Sequence, residues 1–73
     1  MTLVSSEYRG VSNGKRVIRG TVLSNTTPNP LPTNGANVVG MDANDIFAPF
    51  SILYVVGNGD VYIANESGTF VKQ

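Results

Sequence analysis

The stretch SILYVVGNGDVYIANESGTFVKQ, from Ser51 to Gln73, constrains the fold more than any other part of the chain. Ser51 to Val56 is β-branched, aromatic or aliphatic at most positions, and Gly57-Asn58-Gly59-Asp60 follows it at once. Val61 to Ala64 resumes the pattern, Asn65-Glu66-Ser67-Gly68 interrupts it, and Thr69 to Lys72 takes it up again. Gly and Asn accept positive φ at small steric cost, so short strand-favouring runs joined by such tetrapeptides fold as hairpins. The pattern predicts a three-stranded antiparallel meander.

Alternation assigns the faces. Ile52, Tyr54 and Val56 fall on one side of the first run, Leu53 and Val55 on the other; Tyr62 opposes Val61 and Ile63, and Phe70 opposes Val71. The first strand is therefore apolar on both faces, and something must cover the second, either the N-terminal half or a neighbouring subunit. For association, the expected surface is Ile52, Tyr54, Val56, Tyr62 and Phe70.

Two further strand candidates lie upstream, Thr2 to Tyr8 and Lys15 to Leu23, with Arg9 to Gly14 supplying the turn of an N-terminal hairpin. Between the halves runs SNTTPNPLPTNGAN, Ser24 to Asn37, in which Pro28, Pro30 and Pro32 cannot pair in a central strand. It reads as an extended arm or long loop that lies along its own sheet or reaches another chain. Val38 to Met41 is expected as a short edge strand, and Asp42 to Phe47 as a single helical turn capped by Asp42, ending at Ala48 before Pro49. The whole, residues 1–73, is expected to be one small all-β domain of antiparallel sheet.

A chain of 73 residues removes only about 60% of its unfolded surface from water, so its stability needs support. With no Cys and no His, disulfides, thiolate metal sites and the commonest metal ligand are all missing, which leaves association as the expected staple. No basic stretch precedes an apolar core at the N-terminus and no apolar run is long enough to span a bilayer, so neither export nor a membrane role is expected. The formal net charge is zero, yet residues 1 to 40 carry +3 and residues 41 to 73 carry −3. The two halves can attract within one fold or between copies, although solvated charges at strand ends give the same count.

Chemistry is sparse. Without His or Cys, catalysis would require a Ser with a Lys or a pair of carboxylates, and no catalytic residue is expected. Ser12-Asn13-Gly14-Lys15 has a Ser-x-x-Lys spacing but contains a turn signal, and Asp42 and Asp45 read as capping residues. Asp42-Ala43-Asn44-Asp45 starts like a calcium loop, then places Phe47 where the sharp turn needs Gly and Leu53 where a bidentate Glu is needed. Gly57-Asn58-Gly59-Asp60 lacks the third Gly and the following helix of a dinucleotide loop, so no cofactor is expected. Asn25-Thr26-Thr27 and Asn65-Glu66-Ser67 satisfy the glycosylation pattern and, with no export expected, are expected to be chance matches. Alternation puts Lys15 and Arg19 on one face and Arg16 on the other, a split cluster that argues against nucleic acid as a partner.

From Pro32 to Gln73 the chain resembles the C-terminal part of small phage and prophage structural proteins of the head-fibre or capsid-decoration type. The residues that carry the likeness are Pro32-Thr33-Asn34-Gly35, Gly40-Met41-Asp42, Phe47-Ala48-Pro49, Gly59-Asp60-Val61-Tyr62 and Asn65-Glu66-Ser67-Gly68-Thr69-Phe70. It differs from that pattern in having Phe50 after the Ala-Pro pair, where Gly is expected, and Phe70 where an indole is expected. The resemblance implies an architectural role in a virion, as a homo-oligomer or with other virion proteins, and no catalytic residues. The competing expectation is a monomeric β module that binds peptide or carbohydrate through Tyr8, Tyr54 and Tyr62.

Overall fold

The computed structural model describes residues 1–73, contains no helix, and folds the chain into a six-stranded sheet. The strands are β1 (Thr2–Ser12), β2 (Lys15–Ser24), β3 (Ile46–Phe47), β4 (Ile52–Val55), β5 (Val61–Ala64) and β6 (Phe70–Lys72). Their order is β1-β2-β4-β5-β6, with β3 paired to β2 beside Val17 and Ile18. The all-β class, the N-terminal hairpin and the C-terminal meander are as the sequence predicts.

The hairpin is longer and its turn tighter than expected. Only Asn13 and Gly14 form the turn, both at positive φ (52° and 74°), the type I′ geometry whose twist matches that of the flanking strands. Arg9 and Gly10 belong instead to β1, where register shifts between Leu3 and Ser5 and between Tyr8 and Gly10 bulge the strand. A bulge lets the strand absorb Gly10, at φ 126°, without ending.

The sheet is mixed rather than wholly antiparallel, because β2 pairs in parallel with both β3 and β4. Parallel neighbours cannot be joined by a tight turn; the chain leaving Ser24 must travel back along the sheet before it can run beside β2 again. The Pro-rich stretch makes that return. In most folds a helix would do so, whereas here an irregular crossover carries Leu31, Val38 and Met41 onto one sheet face.

That inner face is the core. Val22, Leu53, Val55, Tyr62, Ala64 and Phe70 project from the sheet and meet Val38 from the crossover, while Met1 and Leu3 close one side. Phe47 and Phe70 stack edge to face with ring centroids 4.9 Å apart. The arm thus lies on its own sheet, as one of the two expectations held.

Two local expectations fail in the crossover. Val38 to Met41 forms no strand: only Val39 makes an isolated parallel bridge to Thr2, and Val38 is spent in the core. Asp42 to Phe47 is not a helical turn either. Asp45 N–H donates to the Asp42 carbonyl at 3.0 Å in a single reverse turn, after which Ile46 and Phe47 extend into β3. The capping carboxylate belongs to Asp45, which accepts from the Asp42 amide at 2.9 Å, because a strand rather than a helix follows and the turn is closed from its far end.

Candidate functional site

The other sheet face has no second layer. Thr21, Ile52, Ile63 and Val71 are successive register partners across four strands, and Leu23, Tyr54 and Val61 form a second row beside them. Partners in register project to the same side, so the rows make one continuous apolar strip. Tyr54, Val56 and Val71 remain exposed on it.

The five residues expected to form an association surface therefore divide. Ile52, Tyr54 and Val56 lie on the outer face, whereas Tyr62 and Phe70 lie inside, at 8% and 4% exposure. The division follows from the loops. Val55 N–H closes the Val56–Asp60 loop by donating to the Asp60 carbonyl, which sets Leu53 rather than Tyr54 opposite Tyr62; Asn65–Thr69 then sets Phe70 opposite Ala64. Of the three tyrosines considered for ligand binding, Tyr8 and Tyr54 are exposed, but Tyr62 is core.

Between β3 and β4 the chain makes a turn, Ala48-Pro49-Phe50-Ser51, closed by the Ser51 amide donating to the Ala48 carbonyl at 3.2 Å. Pro at the second position and positive φ (69°) at the third define type II, which ordinarily takes Gly or Asn there. Phe50 occupies it, and its side chain is 73% exposed. Ser51, fully buried, repairs the interrupted ladder: its hydroxyl donates to the Ala48 carbonyl at 2.7 Å and accepts from the Gly20 amide at 3.3 Å. Sequence reading did not single out Phe50 as a functional residue, although Ala48-Pro49 before an aromatic is a legible signal of a strained turn.

Phe50 and Ile52 form the apolar wall of an open cleft of about 400 Å³, completed by Ser5, Glu7, Arg19 and Thr21. Glu7 is bridged by Arg9 at 2.6 Å and by Arg19 at 2.5 Å, and these guanidiniums hold its carboxyl below the usual range, Arg9 foremost through its hydrogen bond. One carboxylate against two guanidiniums leaves this cluster net positive. Across the molecule, Arg16 grips Asp45 through two bonds, Nε to Oδ1 at 3.0 Å and Nη2 to Oδ2 at 2.6 Å, and reaches Asp42 at 3.4 Å. The hydrogen bond from Arg16 lowers the Asp45 pKa and, reciprocally, raises that of Arg16. This second cluster is net negative.

Arg16 of β2 joins the two halves of unequal charge and ties down the end of the crossover, whereas Glu7, Arg9 and Arg19 pair within the N-terminal half. They also commit the Asp42-Asp45 carboxylates to an ion pair. Ser12 and Lys15 are cross-strand partners flanking the hairpin turn, and no buried side-chain nitrogen or oxygen is left without a partner. Comparison with known proteins gave no matching family model, no matching curated protein and no matching solved structure, so the functional reading rests on this geometry.

Proposed function

We propose that the chain is a non-enzymatic structural protein that works by associating with copies of itself through the outer sheet face. One observation carries the reading: Ile52, Ile63, Val71, Leu23, Tyr54 and Val61 form an unbroken apolar strip on the outer face, on which Tyr54 and Val71 are exposed and the other four half-buried. A domain this small gains most from burying such a strip between copies. The carboxylates with displaced pKa values, Glu7 and Asp45, are both held ionised by Arg, the opposite of what a general acid needs. On the resemblance of Pro32 to Gln73, the assembly is a virion component of the head-fibre or capsid-decoration type.

Native mass from light scattering during size-exclusion chromatography, over a dilution series, tests the association. The wild type is expected to form an oligomer that dissociates on dilution, and Tyr54→Asp, which puts a charge on the strip, is expected to remain folded and monomeric. A wild type that stays monomeric at every concentration refutes the reading and favours the monomeric binding module. The virion assignment fails if the chain is absent from purified particles of the phage or prophage that encodes it.

A further inference from the structure

Asn-Gly occurs three times in the chain, at Asn13-Gly14, Asn34-Gly35 and Asn58-Gly59. Glycine has no side chain to shield its amide, which leaves that nitrogen free to approach the preceding carboxamide and makes the pair chemically labile. The fold treats the three pairs differently. Gly35 is buried and its amide donates to the Asp45 carbonyl at 2.8 Å, while Asn34 Oδ1 accepts from the Ala36 amide at 2.9 Å. The Gly59 amide donates to the Val55 carbonyl at 2.8 Å, and Asn58 accepts from the Asp60 amide at 2.9 Å and donates to Thr27 Oγ1 at 3.2 Å. At both sites the attacking nitrogen is engaged and the carboxamide is held.

Asn13-Gly14 has no counterpart of these bonds, and the Gly14 amide meets no backbone acceptor. The pair ends the β1–β2 hairpin, where residues 11–16 are all exposed and a Cβ built on Gly14 would meet nothing within 4 Å. The sheet gives this end no flank, since β3 reaches β2 only at Val17 and Ile18. Bringing the Gly14 nitrogen to the carboxamide requires Asn13 to rotate out of its positive-φ turn. The opening that permits it disturbs the Ser12–Lys15 pair and no core residue, the kind of local unfolding that hairpin ends undergo most readily.

We propose that Asn13 is a modification site, the asparagine at which the folded chain deamidates first. A base in solution takes the Gly14 amide proton, the nitrogen bonds to Asn13 Cγ, and the side-chain nitrogen leaves as ammonia. Water then opens the resulting five-membered imide. Cleavage at Cγ gives Asp, and cleavage at the backbone carbonyl gives isoaspartate, whose main chain runs through the former Cβ. Either product adds one negative charge, beside Lys15, to a chain of zero formal net charge. Isoaspartate also lengthens the backbone by one atom, which mismatches a two-residue type I′ turn and loosens its closing pair. The site is independent of self-association, because the outer strip includes none of residues 11–16.

The test incubates the full folded chain at mildly alkaline pH, beside a sample unfolded in urea, and follows each asparagine by peptide mass mapping. Trypsin isolates Asn13 in the peptide Gly10 to Lys15, and a protease that cuts before Asp separates Asn34 from Asn58. Two or more hydrogen bonds must break at each rival site, so the folded chain is expected to convert Asn13 at least about 10-fold faster than Asn34 or Asn58. In urea the three rates are expected to converge. The converted protein should elute as a more acidic species on ion exchange and contain isoaspartate at position 13. Asn34 or Asn58 converting as fast as Asn13 in the folded chain overturns the assignment. So does an Asn13 that survives folded over the time that converts it in urea, or a preference for Asn13 that persists unchanged in urea, since the fold would then not be its cause.

Discussion

Replacing Asp45 with Asn tests whether the charge pair that ends the crossover holds the fold. Asp45 is 3% exposed and accepts three hydrogen bonds, two from Arg16 at 3.0 and 2.6 Å and one from the Asp42 amide at 2.9 Å. Asn keeps the volume and can still accept from the amide, but it loses the charge and sets its own N–H₂ toward the guanidinium. Charge-assisted bonds contribute about 1.5–3 kcal/mol and neutral ones about 1, and a guanidinium at the surface is partly screened, so the expected loss is about 2 kcal/mol. With a urea m-value of about 1 kcal/mol/M for so short a chain, the midpoint falls by about 2 M. The sign with pH follows from the Asp45 carboxyl titrating below its ordinary value, chiefly because of the Arg16 hydrogen bond. Its contribution is complete above the unfolded pKa of about 3.9 and is lost as pH falls through the lower folded value. Glu7 titrates identically in both proteins, so the gap between wild type and Asp45→Asn isolates this pair. Urea denaturation followed by circular dichroism, at protein concentrations where both are monomeric, should show the gap at pH 7 and its progressive closure below about pH 4. A gap that is the same at pH 7 and pH 2, or below about 0.5 kcal/mol at pH 7, refutes the reasoning.

Other substitutions separate the core from the outer face. Ser51→Ala removes the hydroxyl that serves Gly20 and Ala48, and should cost about 1–2 kcal/mol in urea denaturation while speeding amide exchange at Gly20. Phe70→Ala vacates the partner of Phe47 and should cost about 3–5 kcal/mol, enough to abolish the thermal transition of a chain this small. Retained cooperative melting of Phe70→Ala would show that the inner face is not the core.

Local structure was legible in the sequence and long-range pairing was not. Asn13-Gly14, Gly57-Asn58-Gly59-Asp60 and Asn65-Glu66-Ser67-Gly68 each join strands that are adjacent in the chain, so turn chemistry alone gave both the hairpin and the meander. Alternation also stated correctly that Ser51 to Val56 is apolar on both faces. It could not carry the face assignment across a loop, since side-chain direction reverses with each residue and register is set by loop closure. Tyr62 and Phe70 were placed on the wrong side for that reason. The parallel pairing of β2 with β3 and β4 leaves no local trace at all. Its only sequence sign is a Pro-rich stretch of a length that a compact domain would otherwise not keep, and the expectation that this stretch lies along the sheet is what the crossover fulfils.

The same division explains why the candidate site was half visible. Ile52 and Tyr54 belong to the outer strip by alternation within one strand, a local property. Leu23, Ile63 and Val71 join it only once three separate pairings are in place. Phe50 differs from both. Its significance lies in a conflict between levels: the turn between Ala48 and Ser51 calls for a residue that tolerates positive φ, and the chain supplies a bulky aromatic and leaves it in water. Natural sequences keep such conflicts where something outside the local structure repays them. Substitution by Gly would relieve the backbone and remove exposed apolar area together, so stability of the isolated chain gives no reason to retain the ring. The ring stands beside Ile52 at the end of the outer strip, so the surface proposed for association is where this chain offers it a use.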